Sequence, residues 1–125
     1  MQINLDPGSA TNRIVGYGNG FVLLNEDRLE SSFIVMPETM LTDWPPKTVE
    51  DLTVEHLETV IELGPELIVI GTGDRQNFPD LAVLRPVIES GIGFEIMDTR
   101  AACRTYNILM AEGRVVAAAL MMVNH

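Results

Sequence analysis

The sequence predicts an α/β fold. We expect a three-layer single domain over residues 1–125, with a central mixed, mostly parallel sheet, flanking helices and an N-terminal antiparallel β-meander. Three observations carry this expectation. Apolar runs of strand length, Leu67–Ile70, Phe94–Met97 and Val115–Val123, alternate with segments of helical period. The first third has no helical period and is punctuated by turn residues. No repeat, low-complexity tract or linker divides the chain, and 125 residues suit one domain.

The elements follow in order. Residues 13–18 read as a strand leading into Asn19-Gly20, a tight-turn dipeptide. Phe21–Leu24 answers it, the polar turn Asn25–Arg28 follows, and Leu29–Met36 reads as the partner strand. Pro37–Leu52 reads as an irregular crossing, because Pro45 and Pro46 forbid helix and discourage a central strand. From Thr53, a candidate cap, the residues Val54, Leu57, Val60 and Ile61 recur at helical spacing until Gly64-Pro65. Leu67–Ile70 is apolar throughout, as in a strand buried on both faces, and Gly71-Thr72-Gly73-Asp74 breaks it. A second helix is expected from Pro79 or Asp80 to Glu89, with Leu81, Leu84 and Ile88 as its stripe and Pro86 as a strain point. Phe94–Met97 reads as a strand. Thr99–Glu112 reads as a third helix, capped by Asp98 or Thr99 and turning Ala102, Tyr106, Leu109 and Met110 inward. Arg114–Val123 returns as a final strand, central if both its faces are buried and a pairing surface if it lies at an edge.

Composition excludes several functions. The chain is 46% hydrophobic, enough to build a core without disulfide or metal staples. Eight basic against 18 acidic residues give a net charge of −10, which disfavours nucleic acid and charge-driven docking on anionic lipid. One cysteine forms no internal disulfide, in keeping with a reducing compartment. The start, Met1–Gly8, has no apolar signal core, and the longest apolar run is far short of the about 20 residues that span a bilayer. The expected address is therefore the cytoplasm, with no membrane span.

Candidate chemistry gathers at two strand-to-helix junctions. In open α/β sheets ligand crevices form at the C-terminal ends of strands. Thr72, Gly73, Asp74 and Arg75 follow one such strand, and Asp98 and Thr99 follow the next. If these strands are neighbours the two loops face one another, and Asn107 orients the crevice if it turns inward. Gly71-Thr72-Gly73 is neither a dinucleotide fingerprint nor a P-loop, so a tight strand exit explains it equally. Cys103, one turn into the third helix, is either an activated thiol or a small buried apolar residue; no base accompanies it. His56 and His125 with one cysteine make no ligand set, so no metal or cofactor is expected. Glu55, Glu58 and Glu62 read as a solvated helix face, and Ser31-Ser32 shows no nucleophile elbow. No catalytic set is legible. Trp44 on the Pro-rich segment is a partner anchor if exposed and core if buried.

Residues 91–120, Gly-Ile-Gly-Phe-Glu-Ile-Met-Asp-Thr-Arg through Ala-Leu, resemble the signature of a small α/β family of unknown function. Thr105-Tyr106-Asn107 and Glu112-Gly113-Arg114 are its most specific parts, and residues 65–73, Trp44-Pro45 and, more loosely, 14–20 also match. Its eukaryotic relatives include mitochondrial complex I assembly factor 3. The resemblance implies a central mixed sheet with one antiparallel strand, no catalytic residue to transfer, and protein partners, including subunits of a respiratory complex. The absence of a mitochondrial leader fits a prokaryotic member. The expected function is a non-catalytic protein-interaction or assembly factor, with Trp44, Pro45, Pro46 and the acidic helix face as its contacts. The alternatives are a small-molecule-binding protein or enzyme using the crevice, and a homodimer.

Overall fold

The computed structural model describes residues 11–123. Met1–Gly8, read above for signals, and His125 lie outside these residues. Strands β1 (Ile14–Gly18), β2 (Phe21–Leu24) and β3 (Asp27–Leu29) form an antiparallel meander. Gly20 turns the first hairpin at φ +85°, and Asn25 turns the second in the left-handed region that asparagine tolerates. The second sheet contains β4 (Phe33–Met36), β5 (Thr39–Leu41), β6 (Leu67–Thr72), β7 (Gly93–Met97) and β8 (Val116–Met121), in the order β5-β4-β8-β6-β7. β6 is parallel to both β7 and β8, while β4 is antiparallel to β8 and β5. β4 alone therefore runs against the other four. Helices α1 (Val54–Glu62), α2 (Leu81–Ser90) and α3 (Thr99–Ala111) complete the domain.

The sheet separates two apolar cores. On one face Ile34, Ile68, Ile70, Ala117 and Ala119 meet α1 and α2 through Leu57, Val60, Leu84 and Val87. On the other face Val35, Val69, Ala118 and Leu120 meet α3 and the meander through Tyr106, Ala102, Ile14 and Leu24. This is the expected three-layer arrangement. It also explains the unbroken apolar runs of β4, β6 and β8, since each has a helical or meander layer on both sides.

Local expectations fail in three places. The predicted strand Leu29–Met36 is two strands in different sheets, because the polar Glu30–Ser32 link lets the chain leave the meander before Phe33–Met36 enters the core. The irregular stretch Pro37–Leu52 contains β5 and a 3-10 turn at Val49–Asp51, capped by Asp51 accepting from Lys47 and Thr48 backbone N–H groups. On α2 the buried stripe is Leu84 and Val87, flanked by Val83; Leu81 and Ile88 stay 76% and 51% exposed. At 100° per residue those two fall on the opposite flank from Val83. Of the two alternatives for the last strand the structure shows the central one: β8 lies between β4 and β6, so its apolar faces are no pairing surface.

The caps follow sequence chemistry. Thr53 opens α1 and exchanges hydrogen bonds with His56, whose Nδ1 accepts from Thr53 N at 3.1 Å. Asp98 opens α3, its Oδ1 accepting from Ala101 N at 2.9 Å.

Candidate functional site

β6 and β7 are neighbours, so the loops after them do face each other. Gly71 is required by the approach of α3. A Cβ there would lie 2.8 Å from Leu120 Cδ2, 3.0 Å from Thr99 Oγ1 and 3.1 Å from Ala102 Cβ. Gly73 turns at φ +95°. Its N–H donates to Thr99 Oγ1 at 2.7 Å, and Thr99 N–H returns a bond to Gly73 O at 2.9 Å. Thr72 Oγ1 accepts from Asn77 N–H at 3.2 Å and donates to Arg75 O at 2.5 Å. Arg100 reaches Asp74 at 3.6 Å. Thr72, Gly73, Asp74, Arg75, Asp98 and Thr99 are thus assembled as one junction, much of whose polar capacity is used internally.

Asn107 stands apart from them. It lies about 12 Å further along α3 than Thr99, at 1.5 Å per residue. Its carboxamide grips the meander instead, accepting from Ile14 N–H at 3.0 Å and donating to Ile14 O at 2.6 Å.

The open space lies on the far side of the junction, toward β4 and β8. A cleft of about 420 Å³ brings Thr72 and Asp74 against Glu30, Ser32, Lys47 and Thr48. Ser32 is only 5% exposed. Its carbonyl accepts from Trp44 N–H at 3.1 Å, and among the described residues its hydroxyl has no hydrogen-bond partner. Arg28 neutralises Glu30 at 2.7 Å. Such a lining of hydroxyls and charges, with Glu30 and Asp74 held in ion pairs, can hold a small polar group. Glu30, Lys47 and Thr48 escaped the sequence reading because nothing local marks them; tertiary folding alone brings their segments to the β6 exit. Only Ser32 left a trace, as a polar residue directly before an apolar run.

The other candidates resolve as follows. Cys103 is buried, and loss of solvation pushes its thiol up to about 12, so it is not an activated nucleophile. Trp44 is 3% exposed, donates Nε1–H to His56 O at 3.2 Å and meets the His56 ring edge-on. Pro46 is buried beside it, leaving Pro45 exposed. Glu55, Glu58 and Glu62 are exposed along α1. Among the described residues no three His, Cys, Asp or Glu side chains gather as a metal set, and no helix is long and apolar enough to cross a membrane.

A three-layer α/β domain with a meander clasped by its third helix, and a strand-end cleft lined by hydroxyls and charged side chains, is the class of protein these features define. The chain belongs to the family described as "Protein of unknown function (DUF498/DUF598)", whose model matches residues 14–121. It is 34% identical over 107 residues to NADH dehydrogenase [ubiquinone] 1 alpha subcomplex assembly factor 3 of Xenopus tropicalis, covering 84% of this chain and 58% of that protein. The Bos taurus protein of the same name is 38% identical over 104 residues, covering 82% and 55%. The chain therefore spans little more than half the length of these relatives. Among solved structures it is similar to a Mth938-like domain protein of Bordetella pertussis, with TM-score 0.81 and 34% identity over 97% of this chain and 92% of that one.

Proposed function

We propose that this chain is a non-catalytic assembly factor, a protein-binding domain that serves construction of a respiratory membrane complex. One observation carries the reading: 34–38% identity to named complex I assembly factors over 82–84% of this chain. Surface chemistry supports it. Glu55, Glu58 and Glu62 form an exposed acidic stripe on α1, suited to a basic partner surface. Pro45 is exposed between the buried Trp44 and Pro46, and Trp44 is tied to α1 through its bond to His56 O.

The test is deletion of the gene in its source organism, with native gels stained for NADH dehydrogenase activity. Loss of the full-size complex, with smaller subcomplexes accumulating and re-expression reversing both, is the expected result. Wild-type amounts of assembled complex in the deletion strain would overturn the reading.

A further inference from the structure

The open edge of the larger sheet joins an apolar helix flank. Among the described residues β7 pairs only with β6, and Gly93 at its start has nothing within 4 Å of where a Cβ would be. α2 connects β6 to β7 and packs beside α1. The flank of α2 toward α1 is the covered one, where Val83 packs into the core. Leu81 and Ile88, on the other flank and 76% and 51% exposed, therefore overhang β7. They are seven residues apart, about 10 Å along the helix, much of the length of a five-residue strand. Phe78, three residues before Leu81 in the chain, is 64% exposed.

The strand itself alternates. Phe94 and Ile96 face the α2 core, whereas Glu95 points to the opposite face and is exposed. Among the described residues the Glu95 carboxylate has neither ion pair nor hydrogen bond. At the upper end the Gln76 carboxamide donates to Ile96 O at 2.9 Å, a side chain that an incoming strand can displace.

Resting on the assembly-factor reading, we infer that β7 is a strand-addition site. An extended segment of a partner protein pairs with its edge, places alternate apolar side chains against Leu81 and Ile88, and sets a Lys or Arg beside Glu95. Backbone pairing supplies affinity in such complexes and the alternating side chains supply selectivity. A second copy of this chain is the poorer occupant, because a two-fold antiparallel pairing centred on the strand sets Glu95 against its own copy.

Two blocked nine-residue peptides alternating valine with lysine or valine with glutamate, and an N-methylated lysine peptide, are titrated into the ¹⁵N-labelled full chain. The lysine peptide should shift the β7 amides, slow their hydrogen exchange at least tenfold, and bind more tightly than the glutamate peptide. The N-methylated peptide should not bind. In Glu95→Lys, a substitution at an exposed site, the preference should invert, and Leu81→Ser should weaken both peptides. Binding elsewhere, no binding, self-association through β7 in place of peptide pairing, or a preference unmoved by Glu95→Lys would each overturn the inference. A deletion strain rescued fully by Glu95→Lys and Leu81→Ser would discard this site and leave the assembly role standing; failed rescue by the wild-type gene would remove that role instead.

Discussion

Thr99 and Gly73 clasp each other across the ends of β6 and β7. The Gly73 N–H donates to Thr99 Oγ1, the Thr99 N–H donates to Gly73 O, and the same hydroxyl donates onward to Met121 O at the end of β8. Three strand ends are thus tied by one buried side chain. Thr99→Val keeps the shape and orphans the Gly73 donor and the Met121 acceptor. A buried polar group left unpaired costs about 1–3 kcal/mol. We expect a loss of about 2–4 kcal/mol, read as a lower urea midpoint at unchanged slope.

Gly71→Ala tests the same junction by volume. The new Cβ would press on Leu120, Thr99 and Ala102 at 2.8–3.1 Å. Overpacking of this kind costs about 1–3 kcal/mol. A stability equal to or above wild type would show that α3 can yield there.

How far this was legible from sequence differs by element. β6 and the α1 cap were readable because apolar continuity and Thr53 are local signals. The parting of β3 from β4 was not, since pairing partners are chosen by the whole sheet and Phe33–Met36 looks alike in either. Leu81 and Ile88 fit the helical period as well as Leu84 and Val87 do, and only the position of the sheet beneath α2 decides between them. At the junction, the sequence grouped Thr72 with Thr99 on the condition that their strands be neighbours, and β6 and β7 are. It was silent on Glu30, Lys47 and Thr48, whose segments reach the cleft by tertiary folding.

Trp44 is the sole tryptophan and reports on its own burial. Its emission should be blue-shifted in the folded chain and move red in a single step on unfolding. Trp44→Ala should cost about 3–5 kcal/mol through lost packing. Any loss of partner binding in that variant then reflects unfolding. Pro45→Ala, at an exposed position, should leave the urea midpoint within about 0.5 kcal/mol of wild type.

Asn107 is the main polar tie between α3 and the meander, with both carboxamide bonds on Ile14. Asn107→Ala leaves the Ile14 backbone groups unpaired at that end of β1. We expect about 2 kcal/mol of destabilisation, in the range for losing such partners. Amide exchange should accelerate first in Ile14–Leu24, with β6 and β8 still protected. Uniform acceleration across the chain would show that the meander does not open independently.

Cys103 and Tyr106 set the alkaline limit of the fold. Burial pushes the thiol up from an ordinary 9.0 to about 12, and raises the Tyr106 phenol, whose O–H donates to Asn12 O at 2.7 Å. In both cases the native state holds its proton at a pH where the unfolded chain has released it. Stability then falls as pH rises, because the native state binds more protons. The contribution of Cys103 is complete below about pH 9 and is lost progressively between about 9 and 12. Cys103→Ala should flatten that decline, leaving the part due to Tyr106. A thiol reagent at pH 8 should label Cys103 no faster than the chain opens, so its rate should climb with urea. Rapid labelling of the folded chain would show that the thiol is reachable and that burial is not what controls it.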